Sequence, residues 1–157
     1  MKSMKTLSFA ATMFAAVLSA PAALAHSDEY LDTQKAPNGG QLRMAGIYHY
    51  ELVVAKDGKE AKDSPVVVYV TDHAGQKIPT ANATGTATLL AGKLKATTTL
   101  KSDGDNRMKG SAKYASAPGM KVIVSITLPG KPAEQARFTP LAAAPDEQHM
   151  AQMDHKH

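Results

Sequence analysis

No cysteine occurs anywhere in the chain. Disulfides, thiol catalysis and thiolate metal sites are therefore excluded, and an exported form must hold together by packing alone. Any soft-metal chemistry has to come from histidine, methionine, carboxylates or a free amine. Tryptophan is also absent, which argues against a true antibody-type domain. Arginine is scarce: Arg43, Arg107 and Arg137 are the full set, and no basic run is interleaved with aromatics. Nucleic acid is thus not an expected partner. Long apolar runs are missing too. The main apolar stretch, Leu7 to Ala20, carries no charge and is too short and too alanine-rich for a stable membrane span.

What that stretch does resemble in layout is an export signal. Lys2 and Lys5 precede it, and Ala23-Leu24-Ala25 supplies the small-x-small pattern of a cleavage site. The expected organisation is a signal peptide at 1–25, an extended arm at 26–46, a β-sandwich at 47–141 and a flexible His/Met-rich tail at 142–157. Cleavage after Ala25 would leave 132 residues (157 less 25) beginning at His26, with no membrane span remaining. Losing Lys2 and Lys5 lowers the formal charge from +4 to +2. The expected location is the periplasm.

The mature part reads as all-β. Residues 47 to 54, IYHYELVV, alternate, with Tyr48, Tyr50, Leu52 and Val54 on one face and His49 and Glu51 on the other. That places His49 on the outward side of its strand. VVVYV, residues 66 to 70, has the unbroken β-branched character of a strand buried on both sides. Residues 86 to 100 form a hairpin turning at Ala91-Gly92. RMKGSAKY and MKVIVSITL supply two more strands, the second aligning Met120, Val122, Val124, Ile126 and Leu128 inward. About seven short strands, turn signals roughly every ten residues and no credible helix describe an immunoglobulin-like antiparallel β-sandwich.

Three groups carry candidate chemistry. In the tail, DEQHMAQMDHKH, His149, His155 and His157 stand with Met150 and Met153. Imidazole suits Cu(II), Ni(II), Co(II) and Zn(II), and thioether selects Cu(I), so this segment is a candidate metal-capture site. At the other end, a chain starting at His26 would offer its α-amine and Nδ1 to one ion, with Asp28 or a distant histidine as a third donor. His49 and His73 complete the metal candidates. His73 sits in Thr71-Asp72-His73-Ala74-Gly75, where Asp72 is expected to bond local amides and hold a turn. Met44, Met108 and Met120 fit core positions better than ligand positions. Asp103-Gly104-Asp105-Asn106 suggests calcium, but the twelfth place of such a loop is Tyr114 and the pattern fails. No catalytic triad, HExxH, nucleophile elbow or phosphate loop is present, so an enzyme is not expected.

NGGQLRMAGIYHYELVV, VVVYVTDHAGQKIP, SDGDNRMKGSA and LPGKPAEQARFTPL resemble small periplasmic proteins associated with heavy-metal resistance. Similar segments stand beside metal-efflux membrane-fusion subunits, and the strand order resembles the YtkA-like and FixH-like immunoglobulin-type modules. The likeness covers roughly residues 37 to 141. Its pattern falls on Gly39, Gly40, Gly46, Tyr48, His49, Glu51, Asp72 and Gly75, with Asn38 where related stretches often carry histidine. The Ala-His-Ser start is similar to copper-resistance proteins of the CopC type, on His26 alone. These resemblances imply a non-enzymatic metal buffer or carrier, copper first and nickel, cobalt or zinc next. The alternative they imply is an envelope interaction module that docks on a metal-efflux membrane-fusion protein.

Overall fold

The structure is a computed structural model that describes residues 26–142. The expected signal peptide and nearly all of the tail, including His149, Met150, Met153, His155 and His157, lie outside the described residues. Among the described residues no helix is long and apolar enough to cross a membrane.

A short helix, α1 (Asp28–Asp32), leads into eight strands: β1 (Gln41–Ala45), β2 (Tyr48–Val54), β3 (Lys62–Thr71), β4 (Thr84–Ala91), β5 (Leu94–Ser102), β6 (Arg107–Tyr114), β7 (Lys121–Thr127) and β8 (Ala133–Phe138). All pairings are antiparallel, and the strand order is β1-β2-β3-β6-β5-β4-β7-β8. The link between β5 and β6 is thin, only Lys101 opposite Lys109 and Ser102 opposite Met108. Two four-stranded halves therefore meet at that corner. The outer edges approach each other again: the Thr139 amide donates to Gln41 Oε1 at 2.8 Å, and Glu134 packs against Gly46. One nearly closed antiparallel sheet results.

Its core follows the alternation in the sequence. Tyr50, Leu52, Val66, Val68, Val70 and Met108 from one half meet Leu89, Leu100, Val122, Val124, Ile126 and Phe138 from the other in a single cluster. Each fully buried valine or leucine contributes roughly 1.5–3 kcal/mol, which is how a chain without disulfides holds its sheet. The β4–β5 hairpin turns at Gly92, whose φ of 60° suits the mirror-image turns that match strand twist.

Two expectations need correction. Val66, Val68 and Val70 are fully buried, but Val67 and Tyr69 are only half-buried, so β3 is a one-sided strand. Its second face lies outside the core, where Tyr69 lines a cleft. The segment 26–46 is also more than an extended arm. Residues 41–45 join the sheet as β1, and 28–32 are helical. Ser27 caps that helix by accepting from the Tyr30 amide at 3.2 Å, while Asp28 and Glu29 in the first turn complement the exposed N–H groups.

Candidate metal centre

The outer face of β2 carries His49 and Glu51. Alternation placed them opposite the core correctly, but the outward, solvent-facing position expected for His49 is wrong: His49 is 9 % exposed and Glu51 only 3 %. The segment before β1 roofs them. Leu31 is buried to 3 %, and Arg43 on β1 grips the helix from below. Its Nη1 and Nη2 donate to the two Asp32 carboxylate oxygens at 2.7 and 3.2 Å, and its Nε lies 3.5 Å from Asp28 Oδ1. Such a two-point guanidinium–carboxylate pair fixes orientation as well as distance.

The Pro37–Gly40 turn completes the roof through Glu51. Glu51 Oε1 accepts the amides of Asn38 and Gly40 at 2.8 and 3.0 Å, and Oε2 accepts Asn38 Nδ2 at 2.9 Å. Both oxygens are thereby occupied. Asp72 is held through one oxygen, its Oδ1 accepting the amides of Ala74 and Gln76 at 2.9 and 2.8 Å. Gly75, at φ 77°, closes that turn and sets His73 just past the end of β3. Because β2 and β3 run antiparallel with His49 opposite Thr71, His73 is delivered to the side of His49.

Three imidazoles meet here. The ring centres of His49 and His73 are 4.9 Å apart, and His26 lies 5.6 Å from each. Two imidazoles bound to one tetrahedral ion, with metal–nitrogen distances of about 2.0–2.1 Å, place their ring centres about 5 Å apart. The three rings thus stand at coordination spacing. Their nitrogens have not converged: among the described residues no group of three or more His, Asp or Glu side chains forms a ready-made ion site. Closing the gap takes ring rotation, which is inexpensive because His χ2 is a broad torsion and His26 and His73 are exposed.

His49 shows the clearest chemical signature. Its Nε2 is buried and has no hydrogen-bond partner. A buried polar atom left unpaired costs about 1–3 kcal/mol. Burial, then the neighbouring His73 and His26, lower its pKa, and Asp72 opposes them. The net effect keeps His49 neutral, the form that ligates metals. A cavity of about 500 Å³ opens beside the three rings, lined also by Tyr30, Leu31, Asn38, Tyr69 and Asn106.

Of the residues singled out in the sequence, the structure brings His26, His49 and His73 together. It does not bring Asp28, which faces Arg43 and not the cavity. Met108 and Met120 are fully buried in the core, and Met44 is half-buried. Sequence reasoning missed the supporting parts: the Arg43–Asp32 clamp, the Glu51 anchor, and Tyr30, whose ring centre is 5.0 Å from that of His26. The Ser27 cap followed by two acids was the available signal for the helix.

No family model, curated protein or solved structure matches the chain.

Proposed function

We propose that the protein binds a transition-metal ion, copper first among the candidates, through His26, His49 and His73, and serves as a buffer or carrier in the cell envelope. The observation that carries this reading is the set of three imidazole centres 4.9–5.6 Å apart, one of which, His49, has a buried, unpartnered Nε2. Neutral imidazole suits copper, nickel, cobalt and zinc alike, so the donor type defines the class and not the ion. The leader-like segment at 1–25 supports an exported, periplasmic setting. The role is non-catalytic, and a metal-efflux membrane-fusion subunit is a fitting recipient for the ion. The histidines and methionines of the tail add a looser capture segment.

Titration of the exported protein with Cu(II), Ni(II) and Zn(II) tests this. One tight equivalent is expected, lost in His49→Phe and in His73→Ala but kept by a chain ending at Pro145. Equal binding by His49→Phe and the unaltered protein would remove the three-histidine site from the account.

A further inference from the structure

We infer that the three-histidine site takes up its ion together with a small carboxylate-bearing chelator, an amino acid or a hydroxy acid, and not as a bare aqua ion. The inference rests on the metal reading above and adds an organic ligand to it. It begins from a mismatch of size. The cavity beside His26, His49 and His73 measures about 500 Å³, which lies within the roughly 300–1,000 Å³ of pockets that hold small molecules. A water's share of volume is about 30 Å³, so an ion with three aqua ligands fills only about a fifth of that space.

Coordination chemistry leaves a place for the second ligand. Three protein donors leave at least one position of a four-coordinate ion open, and sites of that kind take an exogenous ligand. Among the described residues Glu51 is the one acid in the lining, and three N–H donors already occupy its two oxygens. Uptake of a chelate exchanges its remaining aqua ligands for imidazole nitrogens, and the chelator stays on the ion.

The walls fit such a molecule. Lys35 and Lys77 are exposed residues of the lining. Lys77 has only a long contact with Asp105, 3.8 Å between side chains that are 69 % and 85 % exposed, so its charge stays available. A divalent ion on neutral imidazoles adds two positive charges beside these lysines. A carboxylate offsets them, with one oxygen for the ion and the other for a lysine. Leu31, Leu42 and the rings of Tyr30 and Tyr69 supply apolar surface for the carbon skeleton. Mostly apolar walls with a few placed polar groups are what small-molecule pockets have in common.

Equilibrium dialysis of the exported protein tests the inference. The arms are Cu(II) alone, the one-to-one Cu(II) complexes of free histidine and of citrate, and each chelator alone. From at least one complex, one ion and one chelator per chain should be retained, and which one separates the amino acid from the hydroxy acid. Neither chelator should be retained without the ion. Electron paramagnetic resonance of the retained Cu(II) should differ from that of Cu(II) added alone, because chelator donors replace aqua ligands. Dialysis of His49→Phe subtracts whatever the tail holds. The pair Lys35→Glu and Lys77→Glu should weaken retention of the chelate by roughly tenfold without weakening Cu(II) alone, the opposite sign from a damaged ion site. Retention of the ion without either chelator would overturn the inference and leave the three-histidine site standing. So would retention of a chelator without the ion. Equal retention of Cu(II) by His49→Phe and the parent would overturn the site itself.

Discussion

Arg43 and Asp32 form a two-point ion pair, 2.7 and 3.2 Å, that fastens α1 to β1 and so holds His26 over the outer face of β2. The guanidinium is 7 % exposed and the carboxylate 28 %. Removing the acid would leave Arg43 buried with only Leu42 O at 2.7 Å and the distant Asp28 for company. Asp32→Ala is therefore expected to cost about 1–3 kcal/mol, below the full value of a deeply buried pair because Asp32 is partly solvated. Hydrogen exchange should quicken in residues 28–34 first, with the eight strands protected as before. Copper affinity should fall in parallel, since His26 loses its platform. Unchanged exchange in α1 would mean that Leu31 alone holds the helix.

The pH dependence of the metal-free protein has a definite sign. Burial, then His73 and His26, depress the folded-state pKa of His49 below its ordinary value of 6.5. Below 6.5 the unfolded chain takes up this proton before the folded one does. Stability contributed by neutral His49 is thus fully present above 6.5, falls as the pH drops from 6.5 to the folded pKa, and then levels off. Urea unfolding between pH 5 and 8 should show this slope, and His49→Phe should flatten it. A slope unaffected by the substitution would assign the acid sensitivity to another group.

Much of the sheet was legible because alternation is a local signal. Tyr48, Tyr50, Leu52 and Val54, and again Val122, Val124 and Ile126, face the core as their period of two requires. The exposure of His49 and Glu51 was not legible, because the roof over them is built by residues 27–40 through tertiary contacts. The meeting of His49 and His73 was closer to hand. Pairing IYHYELVV with VVVYVT around Lys56–Gly58 brings them side by side, and the observed register of Tyr50 with Val70 is that pairing. His26 was different in kind. Its approach depends on Leu31 and the Arg43–Asp32 clamp, which no periodicity announces.

Gly40 sits where the turn crosses β2. A Cβ there would run into the Leu52 carbonyl, while the Gly40 amide must still reach Glu51. Backbone cannot yield as a flexible side chain does. Gly40→Ala should cost about 1–3 kcal/mol, the usual range for an inserted methyl in a tight contact. It should also shift the amide resonances of Asn38, Glu51 and His49 together. A melting temperature equal to that of the parent would show that the turn relaxes away from β2 freely.

Glu51→Gln separates anchoring from ligation at the same site. The carboxylate accepts three N–H donors, two on Oε1 and one on Oε2. A glutamine amide keeps one acceptor oxygen but turns its own NH₂ toward another donor, so at least one buried partner goes unsatisfied. That loss should lower stability by about 1–3 kcal/mol. Because Glu51 holds the turn and not the ion, the nitrogen pattern in the copper spectrum should stay as it was, and any fall in affinity should track the loosened turn. If the variant melts like the parent but its copper spectrum changes, the carboxylate belongs among the ligands and the roof is held by something else.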